Sequence, residues 1–406
     1  MSTDIRSRAT RLLLAAAAAA TVAAGVHAQA VRPEVGKPLQ QAESLIKAGK
    51  FRDALNKVRE VDAVSGKTSA ETTLVERMRL AAASGAGDAD TAAKSFDALA
   101  GGMSAADKLR SIESIAGSYY RNKEYAKAQQ WYARYFREGG TSSANRTLMI
   151  QTQYLAGDFA GAVKELRGEI EATEKAGGTP PEARLTLLLN AAQRLNDPNV
   201  NAYAMERLVV HYPKKEYWAD LLSRLQRKPS FSDRFALDVY RLSLATGVMN
   251  KASDYMELAQ LAVQAGFPAE GKQVVDKGYA AGVLGTGPEA ERHKRLRDLI
   301  AKRVEESKAG LAEAEAEALK AKDGNALVDV GYNLVVSGQA AKGLGLMQQG
   351  ITKGGLKRPE DAKLHLGVAQ TIAGDTAKAQ ATFRTVGGND GAADLARLWG
   401  LQARKR

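Results

Sequence analysis

The chain has 406 residues, of which 45 % are apolar but only 6 % aromatic, so its core must be built from Ala and Leu, as stacked helices prefer. It contains no Cys, which excludes disulfides, thiol chemistry and a lipid-modified cysteine. Its formal net charge of +12 suits acidic partners.

Residues 1–30 stand apart. Arg6, Arg8 and Arg11 precede an apolar run from Leu12 to Gly25, and Ala28-Gln29-Ala30 follows. This is the pattern of a signal peptide with a small-x-small cleavage site. The mature chain is expected to begin at Val31, or at Gln29 if Val26 and Ala28 are the small positions. The run of 14 residues is short for a membrane span, and no later segment stays apolar for 18 residues. An exported chain without cysteine fits a Gram-negative periplasm, where nucleic acid is not an available partner. Residues 31–38, with Pro33, Gly36 and Pro38, read as a linker.

From residue 39 a ten-residue pattern recurs. It has a turn residue, a small or apolar residue two on, a small residue five on and an apolar residue nine on. It starts at Gly49, Gly87, Lys123, Gly157, Gly266, Gly338 and Gly374, in steps of 38, 36, 34, 109, 72 and 36 residues. The long steps approximate three and two periods. Helical spacing on both sides of each turn makes each copy a helical hairpin, which must stack on neighbours to bury its apolar face. In the last copy, Gly367 and Ala379 should let two helices approach, with Phe383 filling the gap. Repeats are expected over 39–281 and 325–402, the latter closed by a helix at 392–402 that presents Leu395, Leu398 and Trp399. Between them lies a charged segment, 282–324. Its glycine-rich start, 282–287, should be flexible. A basic helix follows, with Arg292, Lys294, Arg295, Arg297, Lys302 and Arg303 beside a stripe of Leu296, Leu299, Ile300 and Val304. After Gly310 comes an acidic helix of opposite sign that could pair with it. Residues 403–406 form a basic tail.

The repeats resemble the tetratricopeptide repeat, of about 34 residues. That resemblance implies an all-α, right-handed superhelical solenoid of about ten helix-turn-helix units whose first helices line a concave groove. Carried onto this chain, groove positions are Arg110, Glu113, Gly117, Tyr120 and Arg121, then Gln151 and Tyr154, then Thr186, Asn190, Gln193 and Arg194. This polar, aromatic, mildly basic strip suits an extended acidic peptide. The two-Lys, two-Asn clamp that some members use on peptide C-termini does not appear. In the last two units the same positions are apolar (Val328, Tyr332, Val335, Val336, Leu364, Val368), so either the closing helix covers them or a partner does. The signal peptide, the degenerate repeats and the ending LGVAQTIAGD…ADLARLW are similar to repeat proteins that accompany TonB-type envelope systems. The expected function is a periplasmic protein-binding scaffold. The alternative is a factor for anionic polysaccharide or peptidoglycan using the 289–303 helix.

No catalytic constellation emerges. His211, His293 and His365 lack metal-ligand spacing, and Gly66-Lys67-Thr68 lacks both the first glycine and the strand of a phosphate loop. Neither enzyme activity, a cofactor nor a metal is expected.

Overall fold

The computed structural model describes residues 31–403; the expected signal peptide, with Ala28 and Ala30, and Arg404-Lys405-Arg406 lie outside the described residues. The described chain is all-α, with twenty α-helices and short 3-10 turns. The chain up to Lys175 with Asn190–Asp197 forms one unit, and Ala176–Leu189 with Pro198 onward forms another.

In the first unit the hairpins are α1 (Pro33–Lys47) with α2 (Phe51–Glu60), α3 (Ser69–Ala86) with α4 (Ala89–Leu99), α5 (Ala105–Arg121) with α6 (Tyr125–Arg137), and α7 (Ser143–Leu155) with α8 (Phe159–Lys175). Several of their starts are set by side-chain caps. Thr68 and Glu71 form a reciprocal capping box on α3, and Asp88, Ser104 and Ser142 cap α4, α5 and α7. Their ends are set by left-handed turns. All seven residues that open the repeated pattern have positive φ, from 63° at Lys123 to 90° at Gly338, which stops one helix and reverses the chain into the next. Ile112, Ile115, Ala116 and Tyr119 of α5 are buried against Ala128, Tyr132 and Tyr135 of α6, as their spacing predicts.

The expected linker at 31–38 is instead largely helix. Pro33 begins α1 and Pro38 lies inside it. Val35, Leu39, Ala42 and Ile46 are all buried, so the apolar stripe starts before residue 39. Pro38 sits early enough that its missing N–H removes a single bond, to the carbonyl of the first turn.

α9 (Glu182–Leu195) and α10 (Pro198–His211) follow, joined at Asn196, whose φ is 53°. The second unit continues with α11 (Lys215–Gln226), α12 (Ala236–Thr246), α13 (Ala252–Gln264), α14 (Pro268–Ala280), α15 (Ala290–Lys320), α16 (Asn325–Val336), α17 (Ala340–Lys353), α18 (Pro359–Ile372), α19 (Thr376–Phe383) and α20 (Ala392–Ala403). α16 and α17 touch backbone to backbone. A Cβ placed on Gly331 would lie 2.7 Å from the Gly343 carbonyl oxygen. In the next hairpin the space beside Gly367 is filled by Phe383, and Ala379 is fully buried.

The charged segment differs from expectation. One unbroken helix of 31 residues, α15, runs through Gly310, so its basic and acidic halves cannot fold back on each other. A single glycine costs a helix about 1 kcal/mol, and the Glu/Ala/Lys-rich flanks outweigh it. Arg303–Glu306 at 3.0 Å and Lys308–Glu305 at 2.9 Å also tie the turns just before Gly310. His293, Leu296, Ile300 and Val304 form its buried stripe, while Leu299 faces solvent, 49 % exposed. The 282–287 segment is pinned rather than loose: Leu284 is buried against Gly278, and the Gly285 N–H donates to His293 Nδ1 at 3.1 Å.

The second unit also closes on itself across long sequence separations. Arg234 of the turn before α12 makes a bidentate pair with Asp361 of α18 at 3.0 and 3.1 Å and reaches Asp390 at 2.5 Å. Lys228 pairs with Asp394 of α20 at 2.8 Å, and Ser232 N–H donates to the Asp390 carbonyl at 2.9 Å. Gly391, with φ 117°, lies so close to Phe231 that a Cβ there would come within 2.6 Å of the ring. α20 therefore packs on α18 and α19 and also on α10 and α12.

Candidate functional site

The predicted strip lies on the faces of α5, α7 and α9 turned away from the cores of their hairpins. On α5, Arg110, Glu113 and Arg121 are exposed, and Gly117 and Tyr120 are half-buried. Arg110 pairs with Asp107, the residue capped by Ser104. Arg121 donates to Ser118 Oγ at 2.8 Å. Glu113, Tyr120 and Arg121 surround the buried Tyr132, whose hydroxyl is pushed up to about 12, first by burial and then by the Glu113 charge.

Successive first helices touch through the strip. The Tyr120 hydroxyl on α5 stands 3.5 Å from Gln151 Oε1 on α7, and the Tyr120 ring meets Tyr125 edge-on at 5.8 Å. Further along, Tyr154 meets Phe159 edge-on at 5.3 Å, and the Arg194 guanidinium of α9 lies over Phe159 at 5.2 Å. Tyr154, Leu155, Ala156, Gly157, Phe159 and Arg194 line an open pocket of about 340 Å³. Arg194 is its one charged lining residue, and Leu155 is 47 % exposed there. Asn190 and Gln193 are exposed on the same helix.

The structure thus joins Tyr120 to Gln151 and Tyr154 to Arg194. Arg110 and Glu113 lie toward the other end of α5. Thr186 belongs to the second unit, where it hydrogen-bonds Tyr217. Phe159 and Leu155 were missed by sequence reasoning: Phe159 opens the second helix of its hairpin, and Leu155, although four residues after Gln151, is the last helical residue before the turn.

The apolar positions of the last two units do not form a surface. Val328, Tyr332, Val335, Val336, Leu364 and Val368 are all at most 5 % exposed. Part of their cover comes from α12–α14. Phe267 stacks edge-on to Tyr332 at 4.8 Å, and Gln273 donates to the Val336 carbonyl at 2.7 Å. This region holds a buried polar network. Arg241 of α12 grips Glu270 of α14 through Nε at 2.8 Å and Nη2 at 2.7 Å, and Asp238 through Nη1 at 3.0 Å. The Tyr332 hydroxyl donates to Glu270 at 3.2 Å, and His365 Nε2 lies 3.1 Å from Asp238. Burial pushes the Asp238 carboxyl up, but His365 and Arg241 outweigh it and bring it down to about 2. Burial holds the nearby Asp329 above the usual carboxylate range.

On α15, four of the six cations are already ion-paired. Arg292 meets Glu289 and Arg297 meets Asp276, while Lys302 and Arg303 share Glu306. Among the described residues no group of His, Asp and Glu has metal-holding geometry, and no helix is long and apolar enough to cross a membrane.

No family model matches the chain, and neither does any curated protein. Among solved structures it matches the crystal structure of yeast Tom70 at 11 % identity, covering 91 % of this chain and 95 % of that one, with a TM-score of 0.19. At that score the two chains do not superpose, and the match says nothing of what this chain binds.

Proposed function

We propose that this protein is an exported tetratricopeptide-like scaffold that holds protein partners on the strip formed by α5, α7 and the end of α9. The observation that carries the reading is the row itself, exposed at Arg110, Glu113, Arg121, Asn190, Gln193 and Arg194 and half-buried at Tyr120, Gln151 and Tyr154. Charged, amide and tyrosine side chains from successive first helices point outward and are bridged at Tyr120 and Gln151, ending in the Tyr154–Phe159–Arg194 pocket. Such a row offers an extended segment hydrogen bonds along its length, an apolar seat at Leu155 and Phe159, and a cation at Arg194 for an acidic side chain. On this reading its work is recognition. The signal-like pattern of residues 1–30 supports export to a bacterial periplasm, and that pattern together with the degenerate repeats and the ending LGVAQTIAGD…ADLARLW supports a role as an accessory to a TonB-type envelope system. The polysaccharide reading is less favoured, because most α15 cations are neutralised by neighbouring carboxylates.

The test is photo-crosslinking in intact cells, with the reactive side chain at Tyr120 and at Tyr154 and a control at the exposed Ala133 of α6. A discrete protein adduct at both strip positions, absent at Ala133, is expected, in a periplasmic fraction whose mature chain starts at Val31 or Gln29. The absence of any protein adduct at either strip position overturns the reading.

A further inference from the structure

α15 turns one charged face away from the second unit, and the ion pairs on that face, of Lys302 and Arg303 with Glu306, lie within the helix itself. Arg295, Leu299, Lys302, Glu306, Ala309 and Glu313 follow one another at steps of four and three residues, all on one side of the helix, and all six are exposed. This is the spacing of a helix–helix seam. It lies opposite the stripe of Leu296, Ile300 and Val304 that packs into the second unit. The two halves of the seam carry opposite charge. Lys302 and Glu306 touch across the centre at 3.9 Å, but because the helix is continuous its outer charges, Arg295 and Glu313, stand about 27 Å apart along the axis and cannot meet within one molecule.

They meet in two molecules. We propose that α15 is a self-association surface, which pairs antiparallel with α15 of a second copy of this chain about a two-fold axis level with Val304. In that register Arg295 of each copy stands opposite Glu313 of the other, Lys302 opposite Glu306, and Leu299 opposite the small Ala309. A two-fold axis makes every such contact twice. Each charged pair is therefore complementary, and the exposed Leu299 gains the only space in the seam that fits it. No other occupant matches the order of charges as well, since an acidic or a basic partner would satisfy one half and be repelled by the other. The helix spans about 46 Å, and one helix pair makes a contact at the small end of the range for specific interfaces. Its affinity is correspondingly weak, and it falls with salt.

The test is sedimentation equilibrium of the full mature chain at about 50 mM and about 500 mM salt, a range over which the Debye length falls severalfold. The wild type is expected to show a monomer–dimer equilibrium at low salt that shifts to monomer at high salt. The variant Arg295→Glu/Lys302→Glu has an all-acidic seam, and Glu306→Lys/Glu313→Arg an all-basic one. Each alone should be monomeric with unchanged circular dichroism, and an equimolar mixture of the two should form a heterodimer. A wild type that stays monomeric at low salt overturns the proposal, as does a dimer that both variants retain. If either charge variant fails to fold, the single variants Leu299→Cys and Ala309→Cys replace them. The chain has no other cysteine, so under oxidation the mixture should yield a 299–309 disulfide between copies. A mixture that gives only random pairing would also overturn the proposal.

Discussion

Arg241 is the side chain with most at stake. It is 5 % exposed, wedged between the rings of Tyr332 and Phe267, and it neutralises two carboxylates that are themselves buried. Removing one partner of a buried ion pair leaves uncompensated charge. Arg241→Met should therefore cost about 3–5 kcal/mol of stability in urea unfolding, whereas Arg110→Met, at an exposed pair, should cost less than about 1 kcal/mol. The same network sets an acid limit. Asp238 ionises at about 2 when folded, against an ordinary 3.8. Its stabilising contribution is thus complete above pH 4 and is lost as the pH falls toward 2. The stability gap between wild type and Asp238→Asn should narrow over that interval, as urea midpoints measured at successive pH values would show. None of this network was legible in the sequence, because its members come from four helices. The one available signal was an Asp and an Arg at core spacing in ALDVYRLSLAT, where the neighbouring residues are apolar.

At the scale of elements, the hairpins were readable because turn, cap and stripe agreed. Gly374 turns the chain, Asp375 caps α19, and Phe383 fills the notch beside Gly367. α15 was misread because Gly310 was taken as a breaker, while the residues around it are strong helix formers. The two kinds of helical glycine make opposite predictions. Gly310 has open space at its Cβ position and ordinary helical φ, so Gly310→Ala should stabilise by about 1 kcal/mol. Gly331 meets the backbone of α17, and Gly331→Ala should destabilise by about 1–3 kcal/mol, since two packed helices must be pushed apart. Thermal unfolding of the two variants side by side would measure both.

At the scale of the whole molecule, a repeat protein in which each hairpin touched only its neighbours would lose little beyond the last repeat when shortened. The second unit departs from that. Lys228 and Asp394 are separated by 166 residues and Arg234 and Asp390 by 156. Deleting residues 389–406 should therefore strip hydrogen-exchange protection from the amides of α12, about 150 residues upstream, while those of α3–α6 keep theirs. An unchanged α12 would mean that the return of the chain contributes nothing to its stability. This long-range closure was invisible in the periodicity, which reports only what adjacent helices share.

The clasp also bears on the order in which the protein can form. A chain that emerges N-terminus first can close α1–α8 hairpin by hairpin, each with partners already present. The ring of Phe231, the guanidinium of Arg234 and the carboxylate of Asp238 must wait for residues 361–394. At roughly 5–20 residues per second this leaves them without their final partners for on the order of ten seconds or more. During that delay an aromatic cluster and an uncovered buried charge are open to wrong partners. Residues 231–238 therefore stay open to misdirected contacts for longer than the repeats made first.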